Sequence, residues 1–380
     1  MSLSRGRAFG LALMVAATAP PTAGAASLSV SGGSGSTQSS PNSPVGNYED
    51  AALSGLFDIS PTIDLSFSLT DTHDNRVPPT PGTKFGTSAS NIWNLSAGLG
   101  WSSGDHASFG VAASLSPKSN SSFDTPVVVG SLSNDGRIGA RSGTYGFSVA
   151  ADYDTSGDSD FESAPSLNIA YTHISSDQAL EDLISGKRDE NLAKIRAACQ
   201  GSRSPSCTHL RPLLAARNAD LDQLGVTASY AATLFRNSTV LLSGTYYNYF
   251  GEDPNTLGLF SVALLGRTTP KVKAPSAKAH KGGSVAETFD FGGGIPVAAL
   301  TWDSRIGLSQ KLGGFTVGVV LEYGSYFNDS GHTESIAGKL SYAFSEHWKA
   351  SATLGSSRDV DSAGVVTPGN SFTLGLRYRF

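Results

Sequence analysis

Charge is scarce in this chain: Asp, Glu, Lys and Arg make up 16% of 380 residues, and there are only two cysteines, two methionines and seven histidines. Each shortage removes a class of protein. The histidines are scattered rather than grouped at metal-ligand spacing, and no H-E-x-x-H, G-x-S-x-G or Walker loop occurs, so no cofactor is expected. Beyond the N-terminus no apolar run approaches the roughly 18 to 20 residues of a membrane-crossing helix, which excludes a helical membrane protein. The chain is acidic, and without Arg5 and Arg7 its 27 basic side chains fall to 25 against 32 acidic, a formal charge near −7. That balance excludes generic nucleic-acid binding.

What the chain has instead is glycine, 43 copies of it, and a segmented N-terminus. Arg5 and Arg7 precede the apolar stretch from Ala8 to Ala19, and Ala23-Gly24-Ala25 offers an A-x-A cleavage site, so residues 1–26 read as a signal peptide. Residues 27–57 begin Ser/Gly-rich and poor in apolar side chains, and read as a flexible periplasmic lead-in. In an exported chain the two cysteines, Cys199 and Cys207, read as an oxidised pair.

From Ile63 onward the dominant signal is alternation. It is clearest in the last ten residues, where Phe372, Leu374, Leu376, Tyr378 and Phe380 fall on one face and Ser371, Thr373, Gly375, Arg377 and Arg379 on the other. Ten residues is about the length of a tilted strand that crosses a bilayer, and an apolar-out, polar-in pattern suits a barrel with lipid outside and water inside. This closing strand resembles that of bacterial outer-membrane β-barrel proteins. The resemblance implies an outer-membrane location and recognition of Tyr378 and Phe380 by the barrel-assembly machinery.

Residues 58–380 thus read as an all-β antiparallel transmembrane barrel. Twelve strands are counted: at Ile63 to Leu69, Trp93 to Trp101, Phe109 to Leu115, Tyr145 to Tyr153, Leu167 to Ser175, Leu224 to Leu234, Thr239 to Phe250, Ala298 to Leu312, Phe315 to Phe327, Ser335 to Phe344, Trp348 to Leu354, and the last ten residues. Connections alternate long and short, as expected of outside loops and periplasmic turns. A fourteen-stranded variant adds Leu257 to Leu265 and Thr288 to Ile295, at the cost of a long periplasmic connection. Two outside loops stand out. In 176–223, Leu180, Leu183 and Ile184 recur at helical spacing after a capping-box pattern at Ser175 and Gln178; Leu192 and Ile195 continue toward Cys199, and Thr208 opens a third apolar stripe, so a disulfide-stapled helical insertion is expected. In 251–296, Arg267, Lys271, Lys273, Lys278, His280 and Lys281 make a basic loop suited to lipopolysaccharide phosphates.

Two sets of residues could carry function. The polar strand faces place Asp303, Arg305, Lys311, Glu322, Lys339, Lys349, Arg377 and Arg379 inside, six basic against two acidic, which favours a pore for small solutes with mild anion preference. The tripeptide His173-Ile174-Ser175 puts a general base and a hydroxyl on one outward face near the outer rim, with Asp222 available from the next strand. It resembles the His-x-Ser-Asn pattern of outer-membrane phospholipase A and lipid A deacylases, with Ser176 where those families have Asn. The resemblance implies His173 as base and Ser175 as nucleophile. The readings carried forward are a passive or substrate-selective pore, a lipid-ester hydrolase, and a surface barrel whose loops bind a partner.

Overall fold

The computed structural model describes residues 27–38, 45–75, 90–103, 106–129, 132–154, 162–183, 194, 197, 199–200, 217–234, 237–251, 300–329, 331–362, 364 and 366–379. They form one closed antiparallel barrel of fourteen strands. In chain order these are β1 (Ser27–Gln38), β2 (Val45–Ser60), β3 (Ile63–Asn75), β4 (Ser90–Ser103), β5 (Ala107–Val129), β6 (Leu132–Tyr153), β7 (Glu162–Leu183), β8 (Arg217–Leu234), β9 (Ser238–Gly251), β10 (Leu300–Leu312), β11 (Phe315–Tyr326), β12 (Gly331–Ala343), β13 (Trp348–Asp361) and β14 (Val366–Arg379). Each strand pairs with its sequence neighbours, and β1 pairs with β14 to close the ring. No sheet edge is left, the condition for a sheet to stand in hydrocarbon.

The outer face is apolar and exposed. Trp93, Leu95, Leu99 and Trp101 on β4, Phe147 and Val149 on β6, Leu308 on β10 and Leu374 on β14 all present 40% or more of their surface. Buried or half-buried residues alternate with them, as in Ser108, Ser114 and Ser148. This inversion of the soluble-protein pattern is what lipid on the outside requires. Rings gather at the periplasmic ends of strands, where Trp101 stacks on Phe109 at 6.2 Å, Phe315 meets Tyr342 at 4.4 Å, and Trp348 meets Tyr378 at 4.7 Å. The two-residue turn after β10 takes Gly313 to φ +61, a left-handed conformation that favours glycine.

The twelve strands read from alternation correspond one to one to β3 to β14, but the barrel has fourteen because the supposed lead-in is a hairpin. β1 alternates only at Leu28 and Val30 before glycine and serine occupy both faces. It is held by its backbone, which pairs on one side from Ser27 opposite Arg379 to Thr37 opposite Gly369 and on the other from Ser27 opposite Leu56 to Gln38 opposite Val45. Bulk comes from neighbours: Leu28 and Leu53 are buried together against Val30 and Phe67. The Phe57 and Phe67 rings stack at 5.9 Å, and a Cβ on Gly55 would lie 2.3 Å from the Phe67 ring. Small residues are thus used where adjacent rings already cover the wall.

Two further expectations are corrected. The segment 117–142, expected as a connection between the strands Phe109 to Leu115 and Tyr145 to Tyr153, is mostly strand, because β5 and β6 remain paired up to Val129 opposite Leu132. The first helix expected in 176–223 is also strand: β7 runs through Leu183, with Ser175 opposite Asp220 and Gln178 opposite Arg217, so no helix begins there. Helical spacing of Leu180 and Leu183 lost to a cross-strand ladder that extends beyond the bilayer, tied on its inner side by a 2.7 Å Ser142–Ser176 hydrogen bond. Farther on, Lys194, Ala197 and Cys199 are helical and Cys199 is buried. Residues 1–26, Cys207 and the third stripe, the basic loop, Leu257 to Leu265, Thr288 to Ile295 and Phe380 lie outside the described residues.

Candidate functional site

The bore is lined by the faces that alternate with the exposed apolar ones. On β4 to β8 these are small or polar: Gly98, Gly100, Ser114, Gly146, Ser148, Ala150, Ala170, Thr172 and Gly225 are all buried. Asn94 Oδ1, Thr144 Oγ1, Ser148 Oγ, Asn168 Oδ1 and Thr172 Oγ1 are buried on this wall without a protein hydrogen-bond partner, so it is polar in chemistry but unsatisfied.

The charged residues expected inside lie on the inward faces of β10 to β14, and their partners are now visible. Arg305 on β10 and Glu322 on β11 are directly opposite and form an ion pair, and Ser335 donates to Glu322 at 3.0 Å. Tyr247 of β9 donates to Asp303 at 2.8 Å. Lys349 stands opposite Arg377, whose guanidinium donates to Ser27 Oγ at 3.2 Å across the closing seam. Lys339 is half-buried, whereas Lys311 and Arg379 are exposed at the periplasmic end. An acid on β13 was missed: Asp359, 5% exposed, accepts a hydrogen bond from Tyr326. Its signal in the sequence was its place on the face of Ser351, Thr353 and Ser357. Arg305→Ala should lower unfolding free energy in lipid vesicles by about 1–2 kcal/mol, because Glu322 keeps its charge on a half-buried wall. Adding Glu322→Ala should return part of that loss, which urea titration of both variants measures.

Sequence reasoning also missed an apolar cluster, packed rather than open, on the vestibule wall at the outer end of the bore. Ile174 of β7 and Leu221 of β8 are opposite each other, both fully buried, and Tyr249 of β9 packs on them. The Tyr249 hydroxyl donates to the Leu300 carbonyl at 2.7 Å, and Gln223 donates to Tyr249 at 3.2 Å. Its ring meets Phe327 edge-on at 5.3 Å, in the 3-10 turn Phe327–Asp329 that follows β11. Leu300 stands opposite Tyr326, which is 2% exposed. Six apolar or aromatic side chains therefore run along the inner wall from β7 to the end of β11. Deeper in, Val320, 1% exposed, meets Leu241 and Ala337, because Gly307 between β9 and β11 leaves room.

On the outside of the same strands lies the second candidate. His173 Nδ1 is 2.7 Å from Asp222 Oδ1, its direct cross-strand partner, and the Tyr171 hydroxyl donates to the same carboxylate oxygen at 2.7 Å. The imidazole stacks on Tyr145 at 4.7 Å, and its Nε2 is 4.0 Å from Asp220 Oδ1. Ser175 is opposite Asp220, one rung farther out. The structure thus brings His173, Asp222 and Ser175 onto one outward face, as period two and strand pairing require. Among the described residues no group of His, Cys, Asp and Glu could hold a metal ion.

No protein-family model and no curated protein sequence matches the chain. Among solved structures it is similar to one described as the CymD monoaromatic hydrocarbon channel, with a TM-score of 0.50 and 11% identity over 94% of this chain and 88% of that one. It is similar to a Pseudomonas aeruginosa FadL homologue, with a TM-score of 0.50 and 12% identity over 93% of this chain and 90% of that one. A deltaS2S3 mutant of the TodX monoaromatic hydrocarbon channel also has a TM-score of 0.50, with 10% identity over 95% and 91% of the two chains. At such identities the likeness is one of fold, and by fold the chain is a bacterial outer-membrane β-barrel.

Proposed function

We propose that the protein is a substrate-selective outer-membrane channel for small apolar solutes. The observation that carries this reading is the packed apolar cluster of Ile174, Leu221, Tyr249, Leu300, Tyr326 and Phe327 on the inner wall at the outer mouth. An aqueous pore gains nothing from an apolar inner wall, whereas a hydrocarbon that displaces the packing over these buried side chains gains roughly 25 cal/mol per Å² of its own apolar surface removed from solvent. Two structural neighbours described as monoaromatic hydrocarbon channels support the same solute class. In this reading any anion preference belongs to the periplasmic half, where Lys339, Lys349 and Arg377 stand on the inward faces of β12 to β14. The other expected elements, export through residues 1–26 and a Cys199–Cys207 disulfide at the outer mouth, fit the same location; a free thiol detected on the non-reduced mature protein would remove the disulfide.

Planar-bilayer recording tests the solute class. The expected result is an ion current per inserted barrel well below that of an open aqueous bore of fourteen strands, with any residual current anion-favouring. Large discrete steps would contradict the apolar path and support an aqueous porin.

A further inference from the structure

We propose a second function on the opposite face of the same strands: a serine-hydrolase site for lipid acyl esters, with Ser175 as nucleophile, His173 as general base and Asp222 as the residue that positions His173. Strand alternation separates the two functions. Ile174 faces the bore vestibule, while His173 and Ser175 on either side of it face the membrane.

Depth gives the first argument. Toward the periplasm the outward face of β7 and β8 carries Leu167, Ile169, Val226 and Tyr230, each 36% or more exposed. One rung beyond Ser175 it carries Asp177, paired with Lys118 at 3.0 Å. His173 and Ser175 therefore lie where exposed apolar wall gives way to charge. In a bilayer that is the level of the ester linkages, between acyl chains and headgroups. A histidine and two aspartates facing lipid there are costly, and residues retained at such a cost are functional candidates.

Geometry gives the second. Four groups fix the imidazole: Asp222 on Nδ1 at 2.7 Å, Tyr171 steadying that carboxylate, the Tyr145 ring stacked against it at 4.7 Å, and Asp220 near Nε2 at 4.0 Å. A proton held on Nδ1 by Asp222 leaves Nε2 as the acceptor, the tautomer a general base needs. Nε2 lies 4.0 Å from Asp220 Oδ1, and Asp220 shares the next rung with Ser175, which is on the same face as His173 two residues along β7. No hydrogen bond joins His173 to Ser175 here; a hydroxyl–imidazole bond closing when substrate arrives is common for such pairs.

The step balances without a co-reactant other than water. Ser175 Oγ–H gives its proton to His173 Nε2 as Oγ bonds to the acyl carbon. The ester C–O bond breaks, and the departing alcohol takes that proton as deacylated lipid. Water then gives a proton to His173 and its oxygen to the acyl carbon, and Ser175 leaves reprotonated with release of a fatty acid.

The test uses the refolded mature barrel in two arms, phosphatidylethanolamine–phosphatidylglycerol vesicles and purified lipopolysaccharide, with released fatty acid measured by mass spectrometry. Release in either arm is expected and identifies the lipid. It should fall at least 100-fold in Ser175→Ala and in His173→Ala, both keeping heat-modifiable migration. A fluorophosphonate probe should label Ser175 in the wild type. Asp222→Asn gives the readout a structural role would not: kcat should fall at least tenfold while KM stays within about twofold, as expected when the imidazole is no longer held in place. Absence of release from both lipids, or release undiminished in Ser175→Ala, overturns the proposal. Neither outcome depends on whether the bore carries hydrocarbons.

Discussion

Deleting Ser27–Gln38 from the mature chain is expected to abolish the folded barrel, with loss of heat-modifiable migration and gain of protease sensitivity throughout. β1 forms full-length ladders on both sides, to β14 and to β2. Without it two edges face hydrocarbon, where each unpaired N–H or C=O costs several kcal/mol. A handful of such groups exceeds the roughly 5–15 kcal/mol by which a domain is stable. The ring cannot simply shrink: β2 and β14 both run toward the periplasm, so joining them requires a parallel pair in a ladder that is antiparallel throughout. A variant that still migrates as a folded barrel would restore the twelve-stranded reading, in which this segment is a dispensable lead-in.

The second large effect is expected in the vestibule. Leu221→Glu places a carboxylate at a fully buried inward position against Ile174 and Tyr249. Uptake of a monoaromatic hydrocarbon by cells carrying this variant should fall at least tenfold, while Leu221→Met, similar in volume and apolarity, should stay within about twofold. Assembly of both should persist, because neither touches a backbone ladder, and heat-modifiable migration checks this. Equal uptake by Leu221→Glu would mean that solutes do not pass along this wall.

Most of the barrel was legible because lipid imposes a strong rule on every crossing strand. β11 alternates Phe315, Val317, Val319, Leu321 and Tyr323 with Thr316, Gly318 and Glu322, and those faces are outer and inner in the structure. Alternation failed where bulk is supplied by neighbours. β1 carries only Leu28 and Val30 as apolar markers, and its place in the wall is fixed by backbone pairing and by rings on β2 and β3 that the local sequence does not contain. It failed again above the membrane, where β5 to β8 continue as paired strands without a lipid-facing requirement to print a pattern. The vestibule was invisible for a related reason. Ile174, Leu221 and Tyr249 occupy inward positions where polar residues were expected, and only the ladder shows that they meet. The outward cluster was easier, because His173 and Ser175 share a face by spacing alone, and Asp222 needed only the register of β7 against β8.

The most direct test of the channel is the initial rate at which radiolabelled toluene enters cells with the protein in their outer membrane, against matched cells without it. The account expects a severalfold faster, saturable rate that falls in Leu221→Glu. A rate equal to that of cells lacking the protein would contradict it, and would leave the apolar vestibule as packing that closes the bore.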